Sequence, residues 1–164
     1  MRRQHGRRWI SAMPTNLYGP NDNFHPENSH VLAALIRRFH EAKQAQLEEV
    51  VIWGTGTPTR EFMHVDDLAS AVEFLLQNYD DPETINLGTG VETSIQELAH
   101  VVASVVGFTG DIANDMTKPD GTPKRMLDTT RLRNMGWAPR WDLRAGIQDA
   151  YLWFTSNPTS LRAI

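Results

Sequence analysis

Short apolar runs that stop at proline or glycine alternate along the chain with longer stretches whose apolar residues return every three or four positions. Short runs of that kind read as strands and the period of about 3.6 reads as helix, so strand alternates with helix. Each amphipathic helix must cover a sheet face, which restricts the chain to an α/β or mixed α+β arrangement. A length of 164 residues is enough to bury one core, and residues 1–164 are taken as a single unit.

Trp9-Ile10-Ser11-Ala12-Met13 runs into Pro14 and predicts a buried strand, ended where proline removes the next donor. The next fifteen residues, Thr15 to Ser29, hold two prolines, a glycine and four asparagines and read as a long loop, a type of segment that is often functional. Ser29 is placed to cap a helix carrying Val31, Leu32, Leu35, Ile36 and Phe39. Val50-Val51-Ile52-Trp53 predicts a second strand closed by Gly54 to Pro58, and Glu61 to Val65 a third extended piece. Asp66 is then expected to cap a helix with Leu68, Val72, Leu75 and Leu76.

Thr84 to Leu87 predicts another strand, stopped by Gly88-Thr89-Gly90. Thr93 and Gln96 have the spacing of a capping box before Leu98, Val101, Val102 and Val105, with Gly107 as the C-terminal stop. A strand around Ile112, a turn region over Lys118 to Pro123 and a short helix from Thr130 to Met135 ended by Gly136 follow. Asp142 starts a last helix whose inward face is Leu143, Ile147, Tyr151 and Phe154.

Charge and composition remove several function classes. Lys and Arg number 16 against 20 Asp and Glu, a net charge of −4, and no basic stripe exists to follow a phosphate backbone, so nucleic acid is not an expected partner. Arg2, Arg3, Arg7 and Arg8 lack the apolar core of a signal peptide and read as the exposed end of a helix stopped at Gly6. The longest apolar stretch, near Ala99 to Val106, falls far short of the ~20 residues of a membrane span. With no cysteine there is neither a disulfide framework nor a thiolate nucleophile, and a cytoplasmic setting is expected. The six histidines show no metal-ligand spacing, so no metal is expected.

No Gly-x-Gly-x-x-Gly, P-loop, Gly-x-Ser-x-Gly or His-Glu-x-x-His occurs. Gly54/Gly56 and Gly88/Gly90 each follow a strand without completing a fingerprint, and turn geometry is the simpler reading of both pairs. His30 lies where the polar loop meets a helix N-terminus, whose dipole favours a neutral imidazole able to accept a proton, although from these residues alone an exposed first-turn residue is the favoured reading. Arg38, Arg60, Lys124 and Arg125 are cations near element ends, suited either to a diphosphate or to plain solvation. Trp53, beside a glycine-rich turn, is suited to cover a ligand or to fill a core. Asp66 and Asp67 form an acidic pair whose simpler role is capping.

A series of segments nonetheless resembles one family. Pro14-Thr15-Asn16-Leu17-Tyr18-Gly19-Pro20, Asp22-Asn23-Phe24-His25-Pro26, Asn28-Ser29-His30-Val31, Trp53-Gly54 through Arg60-Glu61-Phe62, His64-Val65-Asp66-Asp67, Asn86 to Gly90 and Lys118 to Lys124 occur in order between about Arg3 and Phe154. Together they resemble the second half of the GDP-L-fucose synthases, NADPH-dependent GDP-4-keto-6-deoxy-D-mannose 3,5-epimerase/4-reductases of the extended short-chain dehydrogenase/reductase superfamily. His-Val-Asp-Asp and Asn-x-Gly-x-Gly recur across sugar-nucleotide epimerases and dehydratases, whereas Asn-Phe-His-Pro and Lys-Pro-Asp-Gly-Thr-Pro point to the fucose-synthase branch.

The resemblance implies an α/β fold made of the last strands of a Rossmann-type sheet plus a small mixed α/β substrate domain. The family's glycine fingerprint, its Tyr-x-x-x-Lys and its acid/base cysteine are not among these residues, since Tyr18, Tyr79 and Tyr151 are followed four positions later by Asp22, Glu83 and Thr155. By the same resemblance Pro14, Thr15, Asn16, Leu17 and His30 border the nicotinamide end of NADP(H), and His30 is the acid/base beside the ketone. Arg38, Trp53, Arg60, Asp120 and Arg125 hold the GDP-sugar, with the choice between Lys124 and Arg125 left open. NADP(H) binding then requires a complementary Rossmann half and the isolated chain is expected to be inactive; the expected protein partners are a separate Rossmann-bearing chain or, by self-association, a second copy of this one. A non-catalytic binding remnant and a different sugar-nucleotide epimerase or dehydratase remain the competing readings. Truncation would leave the strand at Trp9 with an open edge and an uncovered apolar face.

Overall fold

The computed structural model describes residues 2–158. Helix α1 (Arg2–His5) closes at Gly6, whose φ of 62° and N–H bond to Arg2 O terminate it as the basic start predicts. The chain continues through β1 (Ser11–Pro14), β2 (Asn16–Tyr18), α2 (Val31–Gln44), β3 (Glu49–Trp53), β4 (Thr59–Arg60), β5 (Phe62–His64) and α3 (Val65–Asn78). It ends with β6 (Thr84–Leu87), β7 (Thr93–Ser94), α4 (Ile95–Val106), β8 (Asp111–Asp115), β9 (Lys124–Arg125), α5 (Thr130–Asn134) and α6 (Leu143–Ser156). Parallel pairs β1–β6, β2–β5 and β3–β8 dominate, and β4 takes β7 antiparallel on one side and β9 parallel on the other. The α/β expectation therefore holds.

The apolar side chains separate into two cores. One gathers α2, α4 and α6 against β3 through Leu35, Ile36, Phe39, Val50, Ile52, Leu98, Val102 and Ile147. The other gathers α3 and α5 against β5 and β6 through Met63, Leu75, Ile85, Leu87 and Leu132. Between them stands the β2–β5 pair, and strand alternation distributes its residues. Tyr18 and Phe62 enter the first core, while the register partners Leu17 and Met63 pack with the second.

Several expectations need correction. Residues 15–29 are not all loop, because Asn16–Tyr18 is strand, recruited by pairing with Phe62–His64 far away in sequence. The strand near Trp9 is not buried: all of Ser11 to Pro14 is exposed, with Trp9 58% and Met13 53% accessible. Among the described residues β1 bonds only to β6, so one edge is unpaired. Ser29 does not cap α2; His30 is the N-cap residue, in extended conformation and without a side-chain cap bond. The α3 cap is His64 rather than Asp66, its Nδ1 accepting from Asp66 N.

Asp67 turns inward instead, accepting Arg140 N and Trp141 N at 2.9 and 3.2 Å. The α4 cap sits one residue later than expected, with Ser94 Oγ accepting from Glu97 N at 3.0 Å. On α3 the buried stripe is Asp67, Ala71 and Leu75, which leaves Val72 and Leu76 facing outward. The caps at Gly107 and Asp142 stand where the sequence places them.

Phe39 is fully buried against Phe108, with ring centroids 5.4 Å apart. Phe39→Ala is expected to cost about 3–5 kcal/mol in urea unfolding, and a loss under about 1 kcal/mol would contradict the first core.

Four carboxylates are held below their ordinary values: Asp80 by the Arg2 guanidinium, Glu92 by Lys124, Asp115 by Thr117 and Asp128 by Thr130. A group depressed in the folded state stabilises fully above its unfolded pKa of about 4 and loses that contribution as pH falls through the folded value. Calorimetric melting temperature should therefore fall steadily from pH 5 downward; a flat profile to pH 3 would contradict these contacts.

Candidate functional site

Pro14, Thr15, Asn16 and Leu17 lie where β1 ends and β2 begins, at the carboxyl end of the parallel β1–β6 pair. In open parallel α/β sheets that end is where ligands bind. Thr15 N donates to Leu87 O at 2.9 Å, prolonging the β1–β6 ladder. The Thr15 hydroxyl and Asn16 Nδ2 both donate to Glu61 O, at 3.1 and 2.7 Å. This segment is thus anchored from both sides.

His30 is exposed at the start of α2, with no side-chain partner at the cap. Its neighbours Ser29 and Val31 line a cavity of about 480 Å³ together with Leu35, Arg38, Ile52 and Trp53. Arg38 reaches across through one guanidinium nitrogen, Nη1 donating to Val51 O at 2.9 Å. Trp53 is 66% exposed and carries the Lys118 ammonium 5.6 Å from its ring centre. Core filling is thereby ruled out for this indole, and the structure brings Arg38 and Trp53 into one cavity.

Asp120 closes the turn after β3. Its carboxylate accepts from Thr55 N at 2.9 Å and from the Thr55 hydroxyl at 2.7 Å. Gly54 makes this approach feasible: its φ is 72°, and a Cβ there would collide with Asp120 Oδ1. Arg60 Nη1 donates to Thr59 O and Thr122 O at 2.7 and 2.6 Å, tying β4 to the segment that carries Asp120. Arg60 and Arg125 are register partners across β4–β9, and Lys124 is drawn away to Glu92 at 2.6 Å. Of the two neighbouring cations, Arg125 is therefore the one with no ion pair among the described residues.

Sequence reasoning missed four contributors. Thr55 and Lys118 sit in turns whose glycines and prolines drew the attention. Ser29 was read as a cap, whereas its hydroxyl is buried without a partner beside the 480 Å³ cavity. Glu61 is wholly buried, and only its position in Arg60-Glu61-Phe62 could have drawn notice to it.

Tyr18 does not substitute for a catalytic tyrosine. It is 2% exposed, and burial, followed by the charges of Asp67, Asp142 and Asp149, pushes its hydroxyl well above the ordinary tyrosine value. It packs edge-on to His64, which stacks on Trp141 at 4.3 Å and brings Nε2 within 3.3 Å of Asp149.

Comparison with known proteins places these contacts in a family. The model of the NAD dependent epimerase/dehydratase family matches residues 1–88. GDP-L-fucose synthase 1 of Arabidopsis thaliana is 59% identical over 154 residues, covering 94% of this chain and 48% of that protein. GDP-L-fucose synthase of Escherichia coli (strain K12) is 51% identical over 169 residues, covering 98% and 53% respectively. The crystal structure of a GDP-L-fucose synthetase from Naegleria fowleri superposes with a TM-score of 0.89 at 29% identity, over 98% of this chain and 51% of that one. The chain spans about half the length of the curated relatives it matches. With the family model reaching over more than half of its residues and such relatives along nearly all of it, the chain belongs to the NAD dependent epimerase/dehydratase family.

Proposed function

We propose that this chain is the substrate-binding half of a GDP-L-fucose synthase-type enzyme, holding the GDP-sugar and contributing His30 as one acid/base. The observation that carries this reading is the pairing of Arg60 with Arg125 on adjacent strands, with Arg60 bonded to the segment that carries Asp120. Like charges directly opposite on neighbouring strands are destabilising. A diphosphate between them reverses the sign of that interaction, and guanidinium forks match phosphate oxygens. Trp53 offers an exposed ring face for a base, next to the Asp120 turn.

A C–H beside a ketone is acidic because the resulting carbanion delocalises as an enolate. An imidazole nitrogen of His30, exposed at the cavity's flank, would take that proton or return one. Inversion needs a second proton donor on the opposite face, and the resemblance assigns that task to a cysteine this chain does not contain.

The hydride delivered to the ketone in this proposed reaction would come from bound NADPH. What the chain offers it is a border rather than a cradle. Pro14 to Leu17 stand at the strand ends, with the polar side chains of Thr15 and Asn16 already turned to Glu61 O. No Gly-x-Gly-x-x-Gly sequence occurs in these 164 residues to receive the pyrophosphate. The unpaired edge of β1, with Trp9 and Met13 exposed beside it, is where a complementary Rossmann half would add its strands.

Purified alone, the chain should oxidise no NADPH in the presence of GDP-4-keto-6-deoxy-D-mannose; turnover without added protein would overturn the half-enzyme reading. In titration calorimetry it should bind GDP, and Arg60→Ala should weaken binding about tenfold or more, the loss of one charge-assisted contact. No heat at millimolar GDP would leave only the non-catalytic remnant, and tighter binding of UDP or dTDP than of GDP would move the chain to another branch of the family.

A further inference from the structure

Glu61 lies between β4 and β5 with its carboxylate wholly inside the protein. Its partners are N–H and O–H groups rather than cations. Gly90 N donates to Oε1 at 2.7 Å and the Thr89 hydroxyl to the same oxygen at 3.4 Å, while Leu127 N donates to Oε2 at 3.2 Å. A buried anion without a counter-charge is costly unless such donors converge on it. Gly88 leaves the space it needs, since a Cβ at that position would collide with the carboxylate. Gly90 N–H and Leu127 N–H can only donate and lie on opposite oxygens, so the isosteric amide of glutamine cannot satisfy the set: in either orientation its NH2 would face a donor.

We propose that Glu61 is a positioning residue that fixes the GDP-binding side of the half-pocket against its cofactor border, a role that rests on the substrate-binding reading above. Three distant chain segments meet on this one residue. Its carbonyl receives Thr15 and Asn16, and its carboxylate holds the turn after β6 and the chain two residues beyond Arg125. In extended backbone neighbouring side chains point to opposite faces, so anchoring Glu61 inward directs Arg60 outward to Thr122. Freeing the carboxylate would loosen the separation of Arg60 from Arg125 without removing either cation.

The test is GDP affinity of the full chain by calorimetry, at a temperature where circular dichroism finds every variant folded. Asp67→Asn serves as comparator, because Asp67 is the other buried carboxylate among the described residues and likewise has no cationic hydrogen-bond partner, accepting from Arg140 N and Trp141 N. Glu61→Gln should weaken GDP binding about tenfold, and Asp67→Asn should leave it within about twofold. Unchanged affinity in Glu61→Gln, or an equal loss in Asp67→Asn, overturns the positioning role while the substrate-binding reading stands on Arg60→Ala. Absence of GDP binding by the wild-type chain overturns both. If Glu61→Gln does not fold, amide exchange in the wild-type chain decides: slowing at both Gly90 and Leu127 on adding GDP supports the role, and no change at either overturns it.

Discussion

The structure depends on a wall three residues wide. β2 and β5 pair in parallel from Asn16–Phe62 to Tyr18–His64, and both of their faces are covered. One face feeds the core of α2, α4 and α6, and the other feeds the core of α3 and α5. A strand buried on both sides tolerates no slip, because a shift of one residue would exchange Leu17 and Met63 with Tyr18 and Phe62. Thr15 is the pivot at which the chain leaves β6 and joins β5, its N–H given to Leu87 and its hydroxyl to Glu61.

This wall also places the chemistry. The strand that changes partners at Thr15 ends one ladder and starts another at the carboxyl end of β1, where the cofactor border of the proposed pocket lies. β4 continues into β5 through Glu61, so the arginine proposed to meet phosphate and the residues proposed to meet nicotinamide are linked through a single residue, whose main-chain carbonyl receives Thr15 and Asn16. Rigidity follows from burial at Glu61 and His64, each wholly enclosed. The groups that would meet ligand, His30, Trp53 and Arg125, are exposed by contrast. A buried frame carrying exposed contact groups keeps their spacing fixed while leaving them accessible.

How far the fold was legible depended on how local its causes are. Helices α2, α4 and α6 were readable because Leu32, Ile36 and Phe39, or Leu98 and Val102, repeat at a period set within one turn. Gly107 and Gly136 marked stops through a backbone conformation that glycine alone adopts easily. Cap positions missed by one or two residues, as at Ser94 and His64, because several neighbouring side chains were chemically able to cap. Backbone geometry at each helix start then decided which did, Ser94 Oγ reaching Glu97 N and His64 Nδ1 reaching Asp66 N. β2 was hidden: Asn16-Leu17-Tyr18 is too short to display a period, and its partner lies 46 residues away. Glu61 was hidden for a related reason, since a glutamate in a polar stretch reads as surface until three distant donors converge on it.

By itself the sequence determined the α/β class, the main helices and the residues that resemble a sugar-nucleotide site, because local periodicity, glycine stops and short motifs are written in adjacent positions. Only tertiary structure decided which cation of Lys124-Arg125 is left open, that Trp53 is a surface ring and that Glu61 is a buried hub. Each of those outcomes is set by which distant segment arrives alongside, and pairing between segments far apart in the chain leaves no mark in the residues of either one alone.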